Sequence, residues 1–297
     1  MDAINQSINL TRRGIARIVE GRETSDGAGV SLRRYIGTPE LNMLDPFLLL
    51  DSFRSDDPDD YIAGFPPHPH RGFETVTYLL AGRMRHRDST GREGVIKAGG
   101  VQWMTAGSGI EHSEMPEQEQ GLLDGFQLWV NLPATKKMQP PRYQEFEPEQ
   151  IPLEQRNDGT QLRVIAGTTS RGTTGAVSDI SASPVYFDIA LPKGKTIDEN
   201  IPEGHNAFIY VIDGTITLNN ETKNELQVNT LGVLTQGDVV EIEAQTDSRF
   251  LLIAGKPFKE QVARYGPFVM NTQDEIHQAF ADYRDGLFGK ITQEQVE

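Results

Sequence analysis

Two pairs of potential metal ligands lie in the first half of this sequence. His68 and His70 are two residues apart in "GFPPHPHRGFETVTYLLAG", and His112 and Glu114 have the same spacing in "GSGIEHSEM". Alternate residues of a strand point to one face, so each pair can present two donor groups together. Two such pairs on facing strands would surround one cation with three imidazoles and one carboxylate.

The donor types limit the choice of metal. The sequence has no cysteine, which excludes thiolate ligands, disulfides and cysteine nucleophiles. Imidazole with carboxylate suits Fe(II), Mn(II), Ni(II), Co(II), Cu(II) or Zn(II). Glu74 would also share the face of His68 and His70 if the strand continued without a bulge. The residues alone therefore leave Glu74 and Glu114 open as the acidic ligand.

The remaining histidines have less in their favour, because an isolated histidine is more often a structural residue than a ligand. His86 lies among arginines in "RMRHRD", and we expect it to be solvated. We expect structural roles for His205 and His277. Arg71 directly follows His70 and points to the opposite strand face by parity, which predicts a surface or interface charge.

Most of the chain reads as short strands separated by Gly, Pro, Asp and Asn, for example "FQLWVNLP", "SPVYFDIAL" and "GVLTQGDVVEIEA". This spacing is typical of an all-β sandwich or barrel. Only the tail, residues 272 to 288, has a helical pattern, with Ile276, Phe280 and Tyr283 at i, i+4 and i+7. Its acidic start suits the first turn of a helix.

Two pairs of similar segments predict a duplicated β-domain. "TYLLAGRMRH" (77–86) matches "IYVIDGTITL" (209–218), and "FQLWVNLP" (126–133) matches "FLLIAGKP" (250–257). Anchoring Gly82 on Gly214 carries His68 onto Asn200, His70 onto Pro202 and Glu74 onto Asn206, and the segment around His112 has no counterpart. We therefore expect the metal site in the first copy only.

A stretch rich in proline and charge, residues 133–152, marks the connection between the copies. It predicts an N-terminal metal-binding domain over residues 1–140. It also predicts a degenerate C-terminal domain over residues 141–297, which carries the closing helix.

Charge and hydropathy limit the partners and the location. A net charge of −15 argues against direct nucleic-acid binding, because phosphate backbones are repelled. No apolar run approaches the roughly 20 residues that cross a bilayer, and no signal-peptide core is readable in the first 30 residues. We expect a cytoplasmic monomer without membrane attachment.

Four segments closely resemble the pirin family of bicupins: "GFPPHPHRGFETVTYLLAG", "QWMTAGSGIEHSEMP", "FQLWVNLP" and "GPFVMNTQDEIHQAFADYRDGLFG". The resemblance covers nearly the whole chain. It implies two cupin barrels, which are double-stranded β-helices of the jelly-roll type, with a mononuclear non-haem iron in the first barrel.

The resemblance also implies the ligand set His68, His70, His112 and Glu114. The wider cupin superfamily takes its acidic ligand from the position of Glu74, whereas pirins use the acid two residues after the last histidine. We therefore expect Glu114 to be a ligand and a possible base. Glu74 is expected just outside the coordination shell, where an acid can orient an imidazole or bind a water.

Several pirins resemble quercetinases, which cleave a flavonol with O₂ and release carbon monoxide. The resemblance therefore implies an Fe(II)-dependent dioxygenase with a small aromatic, flavonol-like substrate. Phe65, Trp103, Met115 and Phe126 lie next to the ligand segments and could wall an apolar pocket. Core packing is the expected role for at least half of these four residues.

Two other functions fit the same residues. Eukaryotic pirins resemble transcriptional co-regulators, so the chain could be an iron-containing, redox-sensitive module that binds a partner protein. Its contact surface would then be the region around Arg71, Arg83, Arg85 and Arg87. A zinc-type cupin isomerase is a third alternative, because the ligand set would also support it.

Overall fold

The structure of the protein, a computed structural model, describes residues 10–218 and 224–288. Strands dominate these residues. The strands up to residue 155 are β1 (Ile15–Val19), β2 (Arg22–Asp26), β3 (Val30–Ile36), β4 (Phe47–Ser55), β5 (Phe65–His70), β6 (Phe73–Ala81), β7 (Arg83–Asp88), β8 (Glu93–Lys97), β9 (Val101–Thr105), β10 (Ile110–Pro116), β11 (Leu123–Asn131), β12 (Arg142–Phe146) and β13 (Leu153–Gln155).

The remaining strands are β14 (Gln161–Ala166), β15 (Val185–Leu191), β16 (Thr196–Asn200), β17 (Asn206–Asp213), β18 (Thr215–Leu218), β19 (Glu225–Gln227), β20 (Leu231–Leu234), β21 (Val239–Ala244), β22 (Ser248–Gly255), β23 (Ala263–Tyr265) and β24 (Phe268–Met270). One α-helix follows, α1 (Gln273–Arg284). Short 3₁₀ turns occupy Pro58–Asp60, Ala134–Lys136 and Pro148–Gln150.

The described chain forms two compact units, and each takes segments from distant parts of the sequence. The first unit contains Gly21–Pro152, Gly175–Pro184 and the described residues from Gly255 onward. The second unit contains the described residues up to Glu20, together with Leu153–Thr174 and Val185–Ala254. A single division near residue 140, into 1–140 and 141–297, therefore does not reproduce these compact units.

In its packing, helix α1 groups with the first unit. Two contacts join the helix to earlier parts of this unit: the ion pair of Asp282 with Arg71, and the hydroxyl of Tyr283, which donates to Glu111. Ile276 and Ala279 are buried in a cluster with Phe268, Met270 and Phe288, all in the same segment. A capping box at Thr272 and Glu275 starts the helix, as the acidic first turn predicted.

Each unit pairs a large antiparallel sheet with a small one. In the first unit the described strands form sheets of order β12-β9-β6-β11-β4-β3-β2 and β5-β10-β7-β8, and β23 and β24 form a separate two-stranded sheet. In the second unit the orders are β1-β20-β17-β22-β15-β14-β13 and β16-β21-β18-β19. This repeated arrangement confirms the prediction of an all-β fold with two similar barrels and a short C-terminal helix.

Apolar side chains fill the space between the two sheets of the second unit. One cluster of buried side chains joins its two sheets, and includes Ile197, Ile209, Ile216, Phe250 and Leu252. These side chains are at most 1 % exposed. Removing this much apolar surface from water is the main stabilisation of such a barrel.

The first unit is packed differently. Apolar side chains such as Phe53, Leu79 and Met84 form a separate cluster. Threonines and a glutamine occupy the middle strands β6 and β11, where Thr77 pairs with Gln127. This sheet therefore presents polar groups to the histidine strands β5 and β10. Across the described residues, no helix has the length and apolar character needed to cross a membrane.

Candidate metal centre

Strands β5 and β10 bring three histidines together. The two strands pair antiparallel, with His112 directly opposite His68 and Ile110 opposite His70. The ring centroids are 4.5 Å apart for His68 and His112, and 5.1 Å apart for His70 and His112. One ring nitrogen from each histidine lies within 4.8 Å of the others, which is a suitable arrangement for one metal ion.

A bulge in β5 shapes the site. Between His68 and Phe65 the register against β10 shifts, so that Phe65 comes to lie opposite Glu114. The two residues in the bulge are Pro66 and Pro67, which have no N–H to donate to a ladder. Without the bulge, parity would place Phe65 and His68 on opposite faces, whereas here both line the same cavity.

The hydrogen bonds of the imidazoles favour metal binding through Nε2. His68 Nδ1 lies 2.8 Å from the Pro66 carbonyl oxygen, and His70 Nδ1 lies 3.5 Å from that of Pro267. A carbonyl can only accept, so Nδ1 carries the proton and Nε2 keeps its lone pair. Both buried ring nitrogens of His112 lack a hydrogen-bond partner among the described residues. A metal ion would satisfy one of them, so the residues present fit the group.

Burial keeps two of these imidazoles neutral. His70 is 4 % exposed and His112 is 2 % exposed. Desolvation lowers the pKa of His70 well below its ordinary value, and neighbouring His68 lowers it further. Desolvation has the same effect on the pKa of His112, assisted by His70 and His68. Neutral imidazole is the form that binds a metal.

Glu114 lies in the same cavity but outside the histidine group. Its carboxylate is buried, and it accepts hydrogen bonds from Thr77 Oγ1 at 2.7 Å and Gln127 Nε2 at 2.9 Å. Among the described residues, the group of mutually close ligand atoms consists of His68, His70 and His112 without Glu114. The carboxylate is therefore held beside the cluster by two donors.

Glu74 lies on the other face of β6. Phe73, on the adjacent position, contacts the rings of His70 and Trp129, so parity turns Glu74 away from them. Glu74 accepts a hydrogen bond from Thr105 Oγ1 at 2.7 Å. Burial raises its pKa to about 7. Glu74 is not among the residues that line the histidine cavity.

The turn after β5 is fixed from several directions. Arg71 is 4 % exposed, donates to Ser108 O at 2.6 Å, and pairs with Asp282 of α1 at 2.7 Å. It is therefore a buried link to the C-terminal helix and not a surface charge. Gly72 has φ +86°, and a Cβ there would lie 1.9 Å from Val269 O. Only glycine allows this close approach.

Lys137 completes the support of this turn. Its ammonium group is buried and donates to Gly72 O, Asn131 Oδ1 and Val269 O at 2.7, 2.7 and 3.0 Å. All three donors of the side chain are thus used. Desolvation lowers the pKa of Lys137 to about 8. No pattern in the sequence predicts this role of Lys137.

A cavity of about 710 Å³ adjoins the histidines. This volume is in the range of sites for drug-sized molecules. Apolar side chains and prolines form much of its wall: Leu32, Leu49, Phe53, Phe65, Pro66, Pro67, Pro69, Trp129 and Pro267. Its polar groups are His68, His70, Glu114 and Gln127, with the charged residues Asp26, Arg34, Asp51 and Arg264.

Of the four residues expected to wall the pocket, the structure places only Phe65 along the cavity. Trp103 pairs with Val76, and Phe126 pairs with Tyr78, on the face of the sheet opposite to Thr77 and Gln127. Met115 follows Glu114 on β10 and so points to the other face. Trp103 and Phe126 are buried in the core, as was expected for at least half of the four residues. The four had been chosen by nearness in sequence, without the strand parity.

The sequence reasoning missed the aromatic wall that is present. Gln127 and Trp129 alternate with Phe126 and Leu128 along β11, and the alternate pair faces the cavity. A period-two reading of "FQLWVNLP" would have found them, once Gln127 was taken as the inward residue. Pro267 and Arg264 lie far away in sequence, and no local pattern connects them to the site.

The other histidines are placed as follows. His86 is buried at 5 % exposure, contrary to the expectation that it is solvated, and its Nε2 lies 2.6 Å from Glu145 Oε2. The reason is the register, since His86 on β7 lies opposite the inward-facing Glu114. His205 is buried in the second unit, and its backbone carbonyl accepts from Arg13. His277 is exposed on α1.

Comparison with known proteins gives matches to two family models along the chain. Residues 29–130 match the model described as Pirin, and residues 186–289 match the Pirin C-terminal cupin domain. A pirin-like protein of Caulobacter vibrioides is 53% identical over 276 residues, which cover 93% of this chain and 99% of the relative. Pirin of Homo sapiens is 44% identical over 275 residues, covering 91% of this chain and 92% of the relative.

Among solved structures, a crystal structure of quercetin 2,3-dioxygenase from Acinetobacter baumannii has a TM-score of 0.86 and 35% sequence identity. The match covers 95% of this chain and all (100%) of that chain. Both barrels of the fold are therefore cupin barrels.

Proposed function

Because this chain belongs to the pirin family, we propose that it is an Fe(II)-dependent dioxygenase of the quercetinase type that acts on a flavonol-like aromatic substrate. The observation that carries the proposal is the cluster of His68, His70 and His112, two of which, His68 and His70, line a cavity of about 710 Å³. The likeness to a protein named quercetin 2,3-dioxygenase supports the choice of reaction.

Three imidazoles would hold the metal through Nε2, and Glu114 is the acidic group we assign as the fourth ligand. Four protein ligands leave open positions on an octahedral cation. Fe(II) bound there would supply Lewis acidity toward the oxygens of the substrate and a redox partner for O₂. Mn, Ni, Co, Cu and Zn are the alternative metals for this donor set.

The chain's own residues then bind the substrate and handle its proton. Phe65 and Trp129 present aromatic surfaces to a planar ring, beside the prolines of β5. Glu114 accepts the proton of the substrate's 3-hydroxyl group, which makes the bound substrate electron-rich. Thr77 and Gln127 keep the carboxylate oriented toward that proton. The net reaction adds both atoms of O₂ to the flavonol and releases carbon monoxide.

The test is anaerobic loading with Fe(II), followed by oxygen uptake with quercetin. We expect one O₂ consumed and one carbon monoxide released per flavonol. A His277→Ala variant is the matched control, since this histidine is exposed on α1 away from the cluster. An iron-replete protein that consumes no oxygen with any flavonol or catechol would refute the proposal.

One observation favours the regulatory alternative as a second candidate. Arg85 and Arg87 of β7 lie opposite Met115 and Ser113, on the strand that also carries His112 and Glu114. A change at the metal could therefore reach this arginine face through β10, although Glu93 pairs with both arginines. Pull-down with ferrous and ferric protein tests this idea. Equal recovery of partners in both states would remove the redox switch.

A further inference from the structure

Arg264 is a cation of the histidine cavity that forms no direct ion pair with a carboxylate among the described residues, although Asp51 and Asp26 are near enough to act on its charge. Its side chain makes one hydrogen bond to the described residues, from Nη1 to Leu48 O at 3.0 Å. The guanidinium also lies over the ring of Trp129, 4.9 Å from the centroid. A guanidinium has five N–H donors, so most of those of Arg264 remain available along the cavity wall.

Arg34, the other arginine of the cavity, has the opposite character. Its Nε and Nη2 donate to both oxygens of Asp51 at 2.8 and 2.7 Å, and Nη2 also donates to Asp26 at 2.8 Å. Two carboxylates thus occupy its donor fork. An incoming anion would have to displace them at Arg34, but would meet open donors at Arg264.

The charged groups that face the cavity are of both signs: Asp26, Asp51, Glu114, Arg34 and Arg264. Burial lowers the pKa of the Arg264 guanidinium and nearby Arg34 lowers it further, whereas Asp51 and Asp26 act in the opposite direction. The two aspartates direct their hydrogen bonds to Arg34, so an anion bound directly to Arg264 would offset the cost of its partial burial.

Trp129 connects Arg264 to the metal cluster. The ring of Trp129 lies 5.2 Å from the ring of His70, centroid to centroid, and Arg264 lies over Trp129. Two successive ring contacts therefore separate the guanidinium from a histidine of the cluster. One aromatic molecule with a metal-binding group and an acidic group could contact both ends.

We propose that Arg264 sets the substrate specificity of this cavity by binding a carboxylate, so that the substrates are aromatic metal chelators carrying a second, anionic group. The chelating oxygens face the three histidines, and the carboxylate accepts two N–H bonds from Arg264 in the fork geometry that guanidinium favours. The inference rests on the proposed function for the chelating end of the substrate. It goes beyond that function in naming the acidic class of substrate.

Matched ligand pairs test the proposal by calorimetric titration. The short pair is catechol and 3,4-dihydroxybenzoate, and the long pair is 3-hydroxyflavone and its 4′-carboxylate. Protein loaded with Zn(II), which has no redox chemistry, allows binding to be measured without turnover. The metal-free protein is titrated in parallel, and quenching of tryptophan fluorescence gives a second reading beside Trp129. The variants are Arg264→Gln, Arg264→Lys and the control Arg22→Gln, an exposed arginine outside the cavity.

We expect the native protein to bind the acid of at least one pair more tightly than its neutral partner, by about tenfold, the scale of a charge-assisted hydrogen bond. The preference should persist without metal, vanish in Arg264→Gln, be partly retained in Arg264→Lys and be unchanged in Arg22→Gln. Because the ratio is taken within one protein, a general loss of stability cannot imitate this result.

Two results would overturn the inference: no preference for the acid in either pair, or a preference that survives in Arg264→Gln. The proposed function is judged separately by oxygen uptake. A carboxylate preference that depends on Arg264 in a protein without oxygenase activity would keep the inference and remove the function. Oxygen uptake, together with an acid-to-neutral affinity ratio that is unchanged in Arg264→Gln, would keep the function and remove the inference.

Discussion

The two units use the same strand arrangement for different purposes, and the clearest contrast lies in one pair of strands. In the first unit β5 and β10 carry three histidines and Glu114. In the second unit the corresponding pair is β16 and β21, where Ile197 lies opposite Ile242 in the apolar cluster. The backbone architecture therefore permits a site, and the inward side chains determine whether one exists.

The same contrast continues into the large sheets. Anchored on Gly82 and Gly214, Thr75 and Thr77 of β6 correspond to Ala207 and Ile209 of β17. Thr77 binds Glu114, whereas Ile209 is fully buried in the core. Polar inward positions keep a cavity open in one unit, and apolar ones close the other by packing.

The largest expected effect comes from removing a histidine from the strand pair β5 and β10. His112→Ala removes a buried ligand whose two ring nitrogens have no other partner in the described structure. We expect the affinity for Fe(II) to fall by more than about 100-fold, beyond the range seen for residues that only support ligands. Metal content after gel filtration measures this loss, with His277→Ala as the exposed control. Full metal content in His112→Ala would contradict the site.

The second prediction compares the truncation of an inward-facing residue in each unit, one apolar and one polar. Ile209→Ala should lower the free energy of unfolding by about 2–5 kcal/mol, because it leaves a hole in a fully packed core. Thr77→Ala should cost only about 1 kcal/mol, the value of one hydrogen bond, and should instead reduce turnover by misplacing Glu114. Denaturant titration and oxygen uptake compare the two variants. Similar losses of stability would mean that both interiors are equally packed.

Much of the fold and of the cluster could be predicted from the sequence. The H-x-H and H-x-E spacings follow directly from the period of a strand, and strand pairing then brings His68 opposite His112. The loss of the histidines in the second copy was readable because the glycine turns at Gly82 and Gly214 give an anchor. Both have left-handed backbones, with φ of 85° and 78°.

The pocket could not be predicted in the same way, because it depends on register. The match of "FQLWVNLP" with "FLLIAGKP" placed Phe126 on Phe250, yet Phe126 pairs with Tyr78 on the outer face and Phe250 lies in the core. A one-residue difference reverses the face of a strand. Arg264 and Pro267 reach the cavity from the far end of the chain, where only the three-dimensional fold reveals their role.

A third prediction sharpens the comparison between the two acids. Burial raises the pKa of Glu74 from 4.5 to about 7, so the folded chain keeps a proton that the unfolded chain releases between these values. Stability should therefore fall as the pH rises through this window, by up to about 3 kcal/mol. Glu74→Gln should match the native protein near pH 5 and exceed it near pH 8, and it should retain its metal.

Denaturant titrations of metal-free protein at both pH values measure this difference, with the exposed Glu149→Gln as control. Parallel stability of native and Glu74→Gln protein across the window would show that Glu74 is ionised in the fold. Loss of metal in Glu74→Gln, with retention in Glu114→Gln, would instead make Glu74 the acidic ligand.

The smallest effect tests to which unit the C-terminal helix belongs. Thr272 Oγ1 accepts from the Glu275 amide at 3.2 Å, and Glu275 accepts in return from the Thr272 amide at 2.9 Å. Thr272→Ala should destabilise α1 by about 1 kcal/mol. Because α1 packs on β23 and β24, amide hydrogen exchange should quicken in these strands and in the helix, with β17 of the second unit unchanged. If exchange in β17 became faster to the same extent, the helix would stabilise both units and would not belong to the first unit alone.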